Sequence, residues 1–171
     1  MQKEKKREGF SLVELVIVIT IMAILTGLLA LGLGYMNTAD AKGVSGKINS
    51  GFTELKSENM AKNDKSYMHL YRQDGTLYLY FSKDASFTNT SSKVGKDIGG
   101  ERVTVTLDGT TTGTTTIADG TVVTFSIRKK DGAFDDNGIT ALTDSPELKV
   151  SGGGSEYTII LVKATGRHYI E

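Results

Sequence analysis

The sequence predicts an α+β fold: a long N-terminal helix, apolar through its first half and amphipathic through its second, packed on a mostly antiparallel β-sheet domain. Three observations carry this. The run from Phe10 to Leu33 is almost wholly apolar; Val44, Ile48, Phe52 and Leu55 then recur at helical spacing; and from about Ser66 onward the chain breaks into short runs rich in Tyr, Val and Thr, punctuated by Asp-Gly pairs. A chain of 171 residues has room for one membrane helix and one modest domain.

The first nine residues form a short basic leader, in which Lys3, Lys5, Lys6 and Arg7 outweigh Glu4 and Glu8. Cationic flanks stay on the cytoplasmic side, which places the bulk of the chain outside. The apolar run that follows is long enough to cross a bilayer at about 1.5 Å per helical residue. Glu14 interrupts it near its start. An acidic side chain in mid-membrane costs roughly 3 kcal/mol, less near an end, so Glu14 reads either as a carboxylate tolerated at the interface or as one with a partner in the membrane plane. In a secretory signal the small-residue cleavage site follows the apolar region, whereas here the small residue, Gly9, precedes it.

Glycines 27, 32 and 34 lie in or just after the end of the span, where they loosen a helix and also let neighbouring helices approach. Beyond Tyr35 the pattern becomes one-sided: the Val44, Ile48, Phe52, Leu55 stripe opposes Lys42, Lys47, Glu54, Lys56 and Glu58. Asn37, Thr38 and Asp40 offer caps for a second segment after a break. Asn63-Asp64-Lys65 should end the helix.

Residues 66–72 and 76–82 read as strands joined at Asp74-Gly75. Residues 83–100 read as a long loop. Strands are expected at 102–107 and 121–129, with the Thr-rich stretch 110–117 and the Asp-Gly pairs at 108 and 119 forming a hairpin extension between them. The last third should hold strands at 148–150, 157–163 and 167–170, the second of them covered on both faces because its alternation is poor. The Gly-rich stretch 151–155 reads as a flexible loop with no phosphate-cradle motif.

Composition excludes several classes. There is no cysteine, hence no disulfide, thiolate nucleophile or cysteine metal site. His69 and His168 lie on separate strands without metal-ligand spacing, so each reads as a surface or satisfied residue. Asp131, Asp135, Asp136 and Asn137 supply oxygen ligands in one Gly-containing loop, but their spacing does not match a helix-loop-helix calcium site. No catalytic residue, metal or cofactor is expected. Formal net charge is zero, and without the leader the rest is about two units negative, so no global basic surplus attracts nucleic acid.

The basic leader, the order Gly9 then Phe10, and Glu14 as the fifth residue after that junction together resemble the type IV prepilin and pseudopilin family. The resemblance implies cleavage between Gly9 and Phe10 by a prepilin peptidase, N-methylation of the new Phe10 amine, and assembly into a filament with Glu14 guiding docking. Its implied partners are other pilin or pseudopilin subunits, a membrane assembly platform and the lipid bilayer. It divides the chain into a cleaved leader (1–9), a transmembrane and assembly segment (10–35), an amphipathic helix half (36–62) and an exported β-rich domain (63–171), with a near-continuous helix to about residue 60. Physically, cleavage creates an ammonium at the depth of the Glu14 carboxylate, and pairing across subunits relieves two poorly solvated ions while fixing register.

Three shorter stretches, 57–63, 123–125 leading to Asp131-Gly132, and 161–167, look like the H-type minor pseudopilins of type II secretion and the FimT-like minor pilins. That likeness implies a minor subunit. It also opens an alternative, nucleic-acid capture through Arg128, Lys129, Lys130 and Arg167, with Lys163 and His168 nearby in sequence.

Overall fold

The computed structural model describes residues 11–62, 64–88, 90–135 and 140–171, with the side chains of 29–37 outside that description. Helix α1 (Leu12–Ala61) runs without a break for 50 residues, so Asn37, Thr38 and Asp40 cap no second segment. It starts at a capping box: Ser11 is the N-cap, its Oγ accepts from Val13 N at 3.3 Å, and its own N–H donates to Glu14 Oε2 at 3.1 Å. It ends at Lys62, whose N–H donates to Glu58 O.

Among the described residues, nine strands follow in two antiparallel sheets. The first, in the order β3-β2-β1-β6, uses β1 (Tyr67–Gln73), β2 (Thr76–Ser82), β3 (Lys96–Gly99) and β6 (Val122–Ser126). The second, in the order β5-β4-β7-β8-β9, uses β4 (Thr104–Thr110), β5 (Gly113–Thr116), β7 (Leu142–Gly152), β8 (Ser155–Val162) and β9 (Arg167–Ile170). The β1–β2 hairpin turns on Asp74-Gly75, both at positive φ (49° and 75°), the conformation that makes a two-residue turn match strand twist. The second half of α1 packs on both sheets, touching β3 of the first and β7, β8 and β9 of the second.

Several sequence expectations need correction. The stretch 83–100 is no plain loop: it holds a 3-10 turn at Thr90–Ser92 and strand β3, whose one apolar residue, Ile98, is buried. Pairing with β2, not propensity, makes it a strand. Asp108-Gly109 is no turn but a bulge inside β4; the hairpin turn comes at 111–112. The bulge accommodates Pro146 of β7, because a Cβ on Gly109 (φ 78°) would lie 2.9 Å from the Pro146 Cα. The segment 148–150 extends into the eleven-residue β7, and Gly153-Gly154 form a tight turn between paired Gly152 and Ser155. Strand β8 buries only Ile159 and Leu161; Thr158, Ile160 and Val162 are half-exposed, so its sheet has one partly solvated face.

The core lies between the helix stripe and the two sheets. Ala41, Val44, Ile48, Phe52 and Leu55 are 0–2% exposed. Phe52 meets Phe125 of β6 edge-on at 5.0 Å and Phe134 at 5.6 Å, and its ring also lies 5.6 Å from His168 of β9.

Candidate functional site: the start of the helix and the surfaces it leaves uncovered

Gly9 and Phe10 lie outside the described residues; Glu14 lies within them. Its carboxylate already serves the helix, accepting from Ser11 N, so the residue expected to pair between subunits is also the N3 member of a capping box. The Ser-x-x-Glu spacing of Ser11 and Glu14 was a readable signal for this dual use. The cap fixes the start of α1 at Leu12, with Glu14 in its first turn.

From Leu12 to Leu28 the large apolar side chains are all exposed. Thr20 and Thr26 turn their hydroxyls back onto the carbonyls of Val16 and Met22, each at 2.7 Å, satisfying polar groups within the helix. Among the described residues no helix is long and apolar enough to cross a membrane. The described side chains of this half stop at Leu28, and the apolar run in the sequence continues beyond them.

The cations proposed for nucleic acid sit between β6 and β7 and at the start of β9. Arg128 pairs with Asp131 at 3.0 Å. The Ala133 N–H, and then Arg128, hold the Asp131 carboxyl below the usual aspartate range. Lys129 and Lys130 are exposed beside Lys65, which pairs with the buried Asp135 at 2.5 Å and lies over the Tyr67 ring. Burial opposes the Lys65 charge, but Asp135 and Tyr67 outweigh it and raise its ammonium above the ordinary lysine range. Phe134 N donates to Lys163 O at 2.9 Å, drawing this loop to the β8–β9 turn, while the Lys163 Nζ donates inward to Leu142 O. Arg167 is exposed. The patch therefore alternates in sign instead of forming a cationic track.

In the calcium candidate, Asp131 and Asp135 are occupied as described, and 136–137 lie outside the described residues. No group of three or more His or acidic side chains among the described residues is placed to hold a metal.

Three polar devices that the sequence did not announce hold the domain. The buried Arg72 guanidinium donates to Ile117 O (3.1 Å), Gly75 O (2.6 Å), Gly100 O (3.2 Å) and Val103 O (2.6 Å), clamping the β1–β2 turn to the approaches of β4 and β6. Asn59 accepts from Ser66 N (2.6 Å) and donates to Ser66 O (2.9 Å), fastening the end of α1 to the start of β1. His69 bridges Thr124 of β6 (2.9 Å) and Ser82 of β2 (2.8 Å). Ser82 gives its proton to Asp84 O, so His69 Nε2 donates to Ser82 and Nδ1 accepts from Thr124. Burial holds the imidazoles of His69 and His168 below the ordinary histidine range. His168 hydrogen-bonds Thr53 at 3.0 Å, so both histidines are satisfied.

No curated protein and no solved structure matches this chain. Residues 5–30 match the family model described as the prokaryotic N-terminal methylation motif, and this stretch contains Gly9, Phe10, Ser11 and Glu14. The chain thus begins its long helix with the methylation motif of type IV prepilin-like proteins, a family of structural subunits.

Proposed function

We propose that this protein is a filament subunit made as a membrane-inserted precursor, cut between Gly9 and Phe10 by a prepilin peptidase, methylated on Phe10, and assembled through α1 on a membrane platform. The observation that carries the reading is the methylation motif at 5–30 set at the start of a helix whose first half leaves its apolar surface uncovered. Glu14 in this reading receives the Phe10 ammonium of a neighbouring subunit. The lipid bilayer holds residues 10–35 until assembly, with the domain beyond about residue 63 outside. The stretches at 57–63, 123–132 and 161–167 favour a minor subunit, present in few copies per filament. Nucleic-acid capture has weaker support, because Arg128 is paired and acids interleave the neighbouring lysines.

Two substitutions separate the roles of Glu14. Glu14→Gln keeps an acceptor at N3 of the capping box and removes the charge; Glu14→Ala removes both. Both are expected to be processed and membrane-bound but absent from sheared filaments. Incorporation of Glu14→Gln at wild-type level would refute the ion-pair role. Native protein whose mass retains Met1, with no methyl addition, would refute the processing.

A further inference from the structure

The capping box at the start of α1 engages every polar group of Ser11. Its Oγ accepts from Val13 N at 3.3 Å, its N–H donates to Glu14 Oε2 at 3.1 Å, and its carbonyl takes the first helical bond, from Leu15 N at 3.1 Å. Its own backbone is extended (φ −68°, ψ 143°), and the helix begins only at Leu12. An N-cap is a choice among neighbouring positions. Residues 1–10 contain no Ser, Thr, Asp or Asn, and Gly9 alone belongs to the residue types that cap helices. A helix deprived of its start at Ser11 would find its next start at Gly9, with Phe10 as its first helical residue. The Gly9–Phe10 bond would then join cap to helix, and the Gly9 carbonyl would accept the first helical hydrogen bond.

An extended chain offers its N–H and C=O groups to a protein that binds it, whereas a helix keeps them for itself. Cleavage therefore follows the fraction of chains open at the bond to be cut. We infer that Ser11 sets the rate of leader removal: by holding the helix start at Leu12, it keeps the Gly9–Phe10 bond out of α1. Hydrolysis there consumes one water and leaves the Gly9 carboxylate and the Phe10 ammonium. Ser11 is thus a positioning residue, acting on the junction through the backbone. The inference rests on the processing proposed above and names a determinant of its rate.

The test is a pulse-chase of the full chain in cells that make a prepilin peptidase, with leader loss followed by intact mass. Wild type is compared with Ser11→Asn, Ser11→Gly and Ser11→Ala. As N-caps, Asn and Ser are equivalent, Gly stands slightly behind and Ala far behind. Initial rates are expected in that order, with Ser11→Ala about fivefold slower than wild type, the factor that loss of a typical cap makes in a helix start. All four should reach full cleavage with time, as should the Glu14 variants, which keep the Ser11 hydroxyl. In uncut chains from cells without the peptidase, held in detergent micelles, the Phe10 Cα shift should turn helical in Ser11→Ala and not in Ser11→Asn. Recognition of the side chain by the peptidase would instead group Gly with Ala and set Asn apart by size. That order, equal rates in all four, or a Phe10 that stays non-helical in Ser11→Ala overturns the inference and leaves the processing standing. Wild type that is never cut at Gly9–Phe10 overturns the processing, and the inference with it.

Discussion

The two halves of α1 share one backbone and differ in where their apolar surface goes. From Leu12 to Leu28 the large apolar side chains are between 45% (Val18) and 78% (Leu12) exposed, whereas the stripe from Ala41 to Leu55 is at most 2% exposed. The second half finds its cover inside the subunit, on β7, β8, β9 and β3. Among the described residues the first half finds none there, and in the reading proposed above lipid or neighbouring subunits supply it. One helix thereby joins a half covered by its own domain to a half whose described side chains are uncovered.

That contrast breaks most visibly at Phe52, whose ring is shared by α1, Phe125, Phe134 and His168. In denaturant titrations of the detergent-solubilised full chain, Phe52→Ala should lower unfolding stability by about 3–5 kcal/mol. Ile17→Ala in the first half should stay within about 0.5 kcal/mol in the same titration. Equal losses would erase the distinction between the halves.

A somewhat smaller effect is expected at Arg72. Arg72→Met keeps the length of the side chain but strips four carbonyls of their donor, and stability should fall by about 3 kcal/mol, with the 100–103 segment exchanging its amides faster. Unchanged exchange there would show that the carbonyls are satisfied without the guanidinium.

The smallest effect is a pH dependence confined to the folded half. Burial lowers the His69 and His168 pKa, so the unfolded chain binds protons that the folded chain refuses. Stability is then fully present above about pH 6.5, the unfolded value, and declines as pH falls below it. The thermal midpoint should drop between about pH 7 and pH 5, and His69→Gln should flatten the slope. Carboxyls held low by their partners, Asp131 among them, add a further loss only below about pH 4. A midpoint that rises on acidification would contradict the burial that holds both imidazoles neutral.

Elements that rest on local pattern were legible in the sequence. The helix stripe, the Asp74-Gly75 hairpin and the β9 segment 167–170 fall where periodicity and turn chemistry put them. Strand β3 and the extent of β7 were not legible, since Lys96-Asp97-Ile98-Gly99 and Thr143-Asp144-Ser145-Pro146 have weak strand propensity and become strands only through their neighbours. At the site, Glu14 was visible as a misplaced charge. Its bond to Ser11 is written in the Ser-x-x-Glu spacing as well.

By itself the sequence determined what depends on near neighbours along the chain: a basic leader before an apolar run, one carboxylate at its start, a helix that turns one-sided after Tyr35, and turns where Asp meets Gly. The tertiary structure alone decided which strands pair, that they form two sheets and not one, and that Arg72 and His69 find partners across strands. Most of these partners are tens of residues apart in sequence, and no local period records a distance closed only by packing.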